Sequence, residues 1–221
     1  MKNKFDEVRN LLFDLDGTLI DSSETISTCI HYALDQTDVS ADIDTPVEAL
    51  IGKSLLEIFC NSFDMTEEQA DVAIFHYREH FDRQGQNGTQ VYPHIRNVLS
   101  DLKNTGYRLY IATVKPTSIA EKVLSDLHLR TYFHGVAGSS MNHERRDKAG
   151  IIAHALHKHE LDPIRSMMIG DRAEDISGAR DNGLFAVAVT YGFGTMQELH
   201  AAGPDHMVDH SLEIPELLNA R

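Results

Sequence analysis

Two aspartates separated by one leucine, Asp14 and Asp16, follow the first apolar run of the sequence. Alternate residues of an extended chain share one side, so the two carboxylates lie close together. Gly17 comes next and allows the backbone to turn tightly. Close carboxylates repel one another unless a cation lies between them, and Mg²⁺ prefers oxygen ligands. The spacing therefore predicts a magnesium site, with a solvated Asp-Gly turn as the alternative.

A second acidic group lies near the other end of the chain. Asp171 directly follows a predicted strand at 165–170, and Asp175 comes one helical turn later. We predict that Asp171 completes the metal site and that Asp175 either binds the metal through water or holds a lysine. For each aspartate, the alternative role is to cap the helix that follows.

Thr113 and Lys148 are candidates for contact with a phosphate group. Thr113 ends a predicted strand at 107–113, where its hydroxyl can donate to a phosphate oxygen. Lys148 begins a predicted helix, an unfavourable place for a cation in the helix dipole, which indicates another use. The alternatives are an ordinary strand-end hydroxyl and a surface lysine, and Arg145 and Arg146 compete with Lys148 for any cationic role.

The elements that must position these residues alternate along the chain. The apolar run at 8–15 predicts a buried strand, and after residue 96 helical patterns alternate with short apolar runs. This alternation predicts an α/β fold with a doubly wound parallel sheet, in which ligands bind at the carboxyl ends of the strands. The later strands are predicted at 107–113, 136–138, 165–170 and 184–190.

Residues 21–88 have a different pattern, with apolar residues at helical spacing and no strand-like alternation. Thr66 and Gln69 fit a capping box before a long amphipathic segment. We therefore predict an inserted α-helical cap domain at 21–88. The catalytic α/β core then consists of 1–20 and 89–221.

Composition limits the partners of the protein. The 20 basic and 34 acidic residues give a net charge of −14, which repels nucleic acid and anionic membranes. A small phosphorylated metabolite remains possible, because a bound cation and local lysines reverse the potential inside a cleft. With no apolar run near the roughly 18 residues of a membrane span and no signal-peptide pattern, we expect a cytoplasmic protein. The oligomeric state stays open.

Five segments of the sequence resemble motifs of the haloacid dehalogenase-like (HAD) hydrolase superfamily. The match to the first motif is nearly residue for residue, and the pattern is most similar to that of phosphoglycolate phosphatase-like proteins with a helical cap. The segments are 13–22, 111–116, 148–149 and 169–175 for the four motifs, with 192–194 fitting the subgroup.

This resemblance implies a phosphatase mechanism. Asp14 would be the nucleophile that forms an aspartyl-phosphate. Asp16 would be the general acid for the leaving alcohol and then the base that activates water. Mg²⁺ would be held by the Asp14 side chain, the Asp16 backbone carbonyl and Asp171.

The resemblance also assigns supporting roles. Thr113, Lys148 and Gly17 would bind the phosphoryl group, and Asp175 would support the metal and the lysine. In two places the motifs depart from the usual pattern: Val114 stands where Asn is common, and Ala149 where Pro is common.

In relatives with this kind of cap, a loop similar to 50–54 reaches over the active site. Lys53 in that loop would meet a second anionic group of the substrate, and a solvated lysine is the alternative. The identity of the phosphate ester stays open.

The same residues bear on several rival functions. A dehalogenase does not need the second carboxylate, so Asp16 favours hydrolysis of a phosphate ester. A sugar-phosphate mutase keeps the same aspartate pair and stays an alternative. A phospho-accepting signalling module is disfavoured by the long helical insertion, and a binding protein without turnover is disfavoured because every expected polar group is present.

Overall fold

The computed structural model describes residues 4–37, 46–140 and 147–218. The chain divides into two units, one formed by Met1–Ile20 with Val91–Arg221 and the other by Asp21–Gln90. The sequence-based boundaries are 20/21 and 88/89. Arg145 and Arg146 lie outside the described residues.

The larger unit contains a six-stranded sheet in the order β5-β4-β1-β6-β7-β8, and every paired neighbour in it is parallel. Two further short strands, β2 and β3, pair with each other. The strands are β1 (Asn10–Phe13), β2 (Ile20–Asp21), β3 (Gln90–Val91), β4 (Arg108–Pro116), β5 (Gly135–Ser139), β6 (Ser166–Gly170), β7 (Phe185–Val189) and β8 (His206–Val208).

Helices connect the parallel strands, as a crossover between such strands requires. The described α-helices are α1 (Ser23–Gln36), α2 (Leu55–Ser62), α3 (Glu67–Gln84), α4 (Ile95–Asn104), α5 (Thr117–Asp126), α6 (Lys148–His159), α7 (Ala173–Asp181), α8 (Met196–Ala202) and α9 (Glu213–Leu217).

The central strands are buried on both faces. Leu12, Tyr110 and Met168 lie in one core cluster that also contains residues of α6 and α7. Leu11 and Leu109 are fully buried as well, and strand alternation directs them to the opposite face. A sheet covered on both faces is the predicted doubly wound α/β arrangement, and the structure confirms this prediction.

The smaller unit contains α1, α2 and α3. The capping box predicted at Thr66 is confirmed: Thr66 Oγ1 accepts from the Gln69 N–H, and the Gln69 side chain accepts from the Thr66 N–H. A second capping box joins Ser54 and Glu57 at the start of α2. Before α2, Val47–Ala49 forms only a short 3₁₀ turn that follows Pro46.

Two features of the larger unit were not predicted. The strand expected at 107–113 continues to Pro116, and β8, α8 and α9 follow the last predicted strand. Among the described residues, no helix is both long enough and apolar enough to cross a membrane.

Candidate active site

The sheet order brings three distant segments to one edge. β1 lies between β4 and β6, and Phe13 pairs with both Ile111 and Ile169. Asp14, which directly follows β1, therefore lies at the same end of the sheet as Thr113 in β4 and Asp171 after β6. This is the carboxyl edge of a parallel sheet, where ligands bind in folds of this kind.

Asp14 is buried at the end of β1, with a side chain only 3% exposed. Its Oδ1 accepts a hydrogen bond of 2.7 Å from the Leu15 N–H and lies 2.9 Å from Lys148 Nζ. Burial raises the pKa of Asp14 to about 6, although the charge of Lys148 opposes the shift. The carboxylate is thus fixed in place by a cation and a backbone donor.

Lys148 is the first residue of α6, after Asp147, whose side chain caps the helix by accepting from the Gly150 N–H. The lysine side chain is 3% exposed and is not a surface group. Its ammonium lies 2.7 Å from Asp175 Oδ1 and donates to the Ala112 carbonyl oxygen at 3.0 Å. Burial alone would lower the pKa of Lys148, but the charges of the aspartates outweigh it and raise the pKa.

Asp171 lies directly after β6 and is fully buried. The Thr18 hydroxyl donates to its Oδ1 at 3.0 Å, and the Phe193 N–H donates to its Oδ2 at 2.8 Å. Burial raises the pKa of Asp171 to about 8, and the charges of Asp175 and Asp14 add to the shift. Two separate loops therefore hold the Asp171 side chain close to the carboxyl groups of Asp175 and Asp14.

Glycines make room around Asp171. A Cβ atom at Gly17, where φ is +82°, would overlap the Asp171 carboxylate. A Cβ at Gly192 would overlap both the Asp171 side chain and the Gly17 carbonyl oxygen. Nearby, the Tyr191 hydroxyl donates to the Thr18 carbonyl oxygen at 3.0 Å. The loop after β7 can approach the loop after β1 this closely only because of these glycines.

Three buried carboxylates, those of Asp14, Asp171 and Asp175, can place one oxygen each within 4.8 Å of one another. Lys148 contacts two of the three, so the carboxyl groups outnumber the cation that touches them. A donor set of oxygens with surplus negative charge fits a hard divalent cation. The residues present therefore fit a metal ion such as Mg²⁺.

The Asp16 side chain is not part of this carboxylate cluster. Its Oδ2 lies 2.8 Å from the Lys115 ammonium, and Lys115 also donates to Oδ1 at 3.0 Å. The sequence-based prediction places the Asp16 backbone carbonyl, and not its carboxylate, on the metal. That ligand assignment stays a prediction.

The remaining predicted residues lie in different places. Thr113 is buried in β4, and its Oγ1 accepts from the Lys115 N–H at 3.3 Å. Asp175 lies in the first turn of α7, where its Oδ2 accepts from the Arg172 N–H at 3.1 Å while its Oδ1 faces Lys148. Lys53 belongs to the unit Asp21–Gln90 and is exposed there. Contact between Lys53 and a substrate stays a prediction.

Three contributors to the site were missed by sequence reasoning: Lys115, Thr18 and the Phe193 backbone. Lys115 lies two residues after Thr113 in β4, but its contact with Asp16 joins residues far apart in the sequence, so no local spacing indicates it. Thr18 lies next to the acidic pair, and its hydroxyl alone does not indicate which carboxylate it contacts. A backbone N–H such as that of Phe193 carries no side-chain signal, and only the flanking glycines marked its loop.

The larger unit is therefore a doubly wound α/β core with an acidic, lysine-containing site at the carboxyl edge of its sheet. A family model described as haloacid dehalogenase-like hydrolase matches residues 11–189, most of the chain. The chain therefore belongs to the haloacid dehalogenase-like hydrolase family. The family resemblance predicted from the motifs is confirmed.

Individual proteins agree with this assignment. A Pseudomonas aeruginosa protein named 5'-nucleotidase is 36% identical over 197 residues, which cover 89% of each chain. A Vibrio parahaemolyticus protein named phosphoglycolate phosphatase is 23% identical over 220 residues, or 96% of each chain. A crystal structure of a protein from Clostridium acetobutylicum, described as a predicted phosphatase, has a TM-score of 0.89 and 35% identity, covering 95% of this chain and 97% of that one.

These relatives support the predicted subgroup, phosphoglycolate phosphatase-like proteins, and the predicted enzyme class, a phosphatase of the family. Two of the relatives carry the names of enzymes with different substrates, a nucleotide and a phosphorylated acid. The names therefore leave the phosphate ester of this protein open.

Proposed function

We propose that this protein is a Mg²⁺-dependent phosphatase that hydrolyses a small phosphate monoester through an aspartyl-phosphate at Asp14. The observation that supports the proposal is that Asp14 and Asp16, separated by one residue, have side chains with different ionic partners. Asp14 lies in the buried carboxylate cluster with Lys148, whereas the carboxylate of Asp16 is held apart by Lys115. Two carboxylates in different environments suit two different chemical roles.

In the first half-reaction, an Asp14 oxygen forms a bond to phosphorus while the bond from phosphorus to the leaving oxygen breaks. The electron pair stays on the leaving oxygen, which takes a proton from the Asp16 carboxyl group. In the second, Asp16 takes a proton from water, the water oxygen bonds to phosphorus, and the bond to Asp14 breaks. Asp16 ends each cycle protonated, as it began.

The other residues would position and neutralise the phosphoryl group. Lys148 already contacts Asp14 at 2.9 Å, so it can also reach a phosphoryl oxygen on that nucleophile. Thr113 would donate its hydroxyl, and the turn at Gly17 would admit the phosphate. Positioning and electrostatic stabilisation supply most of the rate enhancement in phosphoryl transfer.

The metal would be held by the Asp14 side chain, the Asp16 carbonyl oxygen and Asp171, with Asp175 in support. When bound, Mg²⁺ supplies positive charge that offsets the charge of the phosphoryl group. Thr18 and the Phe193 N–H would keep Asp171 oriented toward that position. The helical unit, with Lys53, would act as the cap that selects a small anionic metabolite.

The first test is release of phosphate from p-nitrophenyl phosphate by the purified protein, with Mg²⁺ and then with excess chelator. We expect hydrolysis that the chelator abolishes, followed by activity on a panel of natural phosphomonoesters. If the protein hydrolysed none of the esters in the panel, the proposal would be refuted. Activity only in the presence of a sugar bisphosphate activator would support the mutase alternative instead.

The second test is Asp14→Asn, which removes the nucleophile with little change in shape. Turnover should fall to background while the folded structure persists by circular dichroism. Asp126→Asn, an exposed aspartate at the end of α5, is the matched control and should keep full activity. Normal turnover in Asp14→Asn would rule out the aspartyl-phosphate mechanism.

A further inference from the structure

A second lysine, the partly buried Lys115, contacts the carboxylate of Asp16 through both oxygens. Its Nζ lies 3.0 Å from Oδ1 and 2.8 Å from Oδ2, and the side chains are 11% and 9% exposed. A single ammonium that touches both oxygens restrains rotation of the carboxyl plane. The geometry is thus suited to aiming a carboxyl group and not merely to pairing a surface charge.

The backbone around Lys115 is fixed from several sides. The pairing of β4 with β5 shifts register between Thr113 and Pro116, so the chain departs from regular alternation at this lysine. The Lys115 N–H donates to Thr113 Oγ1 at 3.3 Å. Its carbonyl oxygen approaches β5 so closely that a Cβ at Gly138 would overlap it. Thr117 then begins α5 and accepts from the Gly138 N–H at 3.0 Å through its hydroxyl.

We propose that Lys115 is a positioning residue that orients the Asp16 carboxyl group toward the oxygen of the leaving group. This inference rests on the proposed function, in which Asp16 gives that oxygen a proton as the bond to phosphorus breaks. An ammonium has three N–H donors, so Lys115 can hold the plane of Asp16 before and after the proton leaves. Lys115 itself neither gains nor loses a proton in the step.

The role has a signature that a purely structural lysine lacks. A leaving group that is stable as an anion, such as p-nitrophenolate, needs little help from a general acid. A more basic leaving group, such as phenolate, needs a well-placed proton. Loss of Lys115 should therefore lower kcat/KM more for an ester with a more basic leaving group. General acid catalysis contributes roughly 10²- to 10⁴-fold to such rates.

The experiment compares Lys115→Met with the wild-type protein on p-nitrophenyl, phenyl and p-methoxyphenyl phosphates in Mg²⁺. We use kcat/KM because it reports the steps up to formation of the aspartyl-phosphate. We expect a fall of about 10- to 100-fold for the phenyl and p-methoxyphenyl esters and less than about threefold for the p-nitrophenyl ester. Lys115→Arg keeps a cation and should recover part of the loss, and Lys158→Met, an exposed lysine of α6, should change nothing.

A double-mutant cycle with Asp16→Asn separates action through Asp16 from independent action. In the Asp16→Asn background, Lys115→Met should add no further dependence on the leaving group. An equal loss for all three esters, or a rise in KM without change in kcat, would overturn the inference while leaving the proposed function intact. Absence of phosphate release by the wild-type protein, both from these esters and from the natural panel, would instead refute the proposed function, and this inference with it.

Discussion

Replacement of Lys148 by Met tests the electrostatic centre of the site. The lysine lies 2.9 Å from Asp14 and 2.7 Å from Asp175, and its side chain is 3% exposed. At an effective dielectric constant near 20, each contact corresponds to roughly 6 kcal/mol of attraction. The cost of burying the ammonium offsets much of this, and removal of one partner from a buried ion pair typically costs about 3–5 kcal/mol.

For a chain of this size, that loss corresponds to a fall in Tm of roughly 6–20 °C. The catalytic effect should be separate and large, since removal of one preorganised donor lowers kcat by about 10²- to 10³-fold. Met keeps the length and apolar stem of the lysine, so the change removes the charge with little change in packing.

The assay pairs thermal unfolding with phosphate release, both in Mg²⁺. Lys158→Met is the matched control, because it removes the same charge from the exposed end of the same helix. Its Tm and kcat should stay close to wild type. If Lys148→Met kept kcat within about threefold, or lost no more stability than Lys158→Met, the assignment of Lys148 to the charge balance of the site would be wrong.

Two further predictions concern Asp171 and its surroundings. Burial raises the pKa values of Asp14 and Asp171 to about 6 and about 8, both above the usual aspartate value of 3.8. The folded protein without metal therefore binds these protons more tightly than the unfolded chain, and it should lose stability as pH rises from that usual value to about 8. Thermal unfolding midpoints measured in chelator should fall as the pH rises. Binding of Mg²⁺ should release protons and remove this pH dependence. Midpoints in chelator that did not change with pH would contradict the raised pKa values. Gly192→Ala should cost about 1–3 kcal/mol and at least about tenfold in kcat, because its Cβ would overlap Asp171 and the Gly17 carbonyl oxygen. Gly150→Ala, a helical position where a Cβ would lie 3.3 Å from Asp147 Oδ1, is the control. Equal kcat for the two variants would show that the overlap at Gly192 is relieved without disturbing the site.

The strands that carry the acidic residues could be predicted from sequence because each is a short apolar run that ends at a polar group. The prediction at 165–170 differs by one residue from β6. β8, by contrast, has three residues that run from exposed to buried, which gives no usable periodicity. The parallel sheet and its helical crossovers could therefore be predicted from the sequence, whereas the last strand, β8, could not.

Lys115 shows why part of the site could not be predicted. Its partner, Asp16, lies far away along the chain, so no local spacing relates the two residues. The shift of register that fixes its backbone also depends on Gly138, a residue of the neighbouring strand. Lys148 was easier to recognise, because a cation at a helix start conflicts with the local electrostatics.

The sheet order also has a consequence for synthesis on the ribosome. β1 pairs with β4 and β6, yet the whole of Asp21–Gln90 is made before Arg108, the first residue of β4. At about 5–20 residues per second, roughly 5–20 s pass with the apolar β1 lacking both neighbours on the nascent chain. Asp171 follows later still. Asp14 is made before Lys148, Asp171 and Asp175, so the environment that would make it reactive forms only after the later strands have been made.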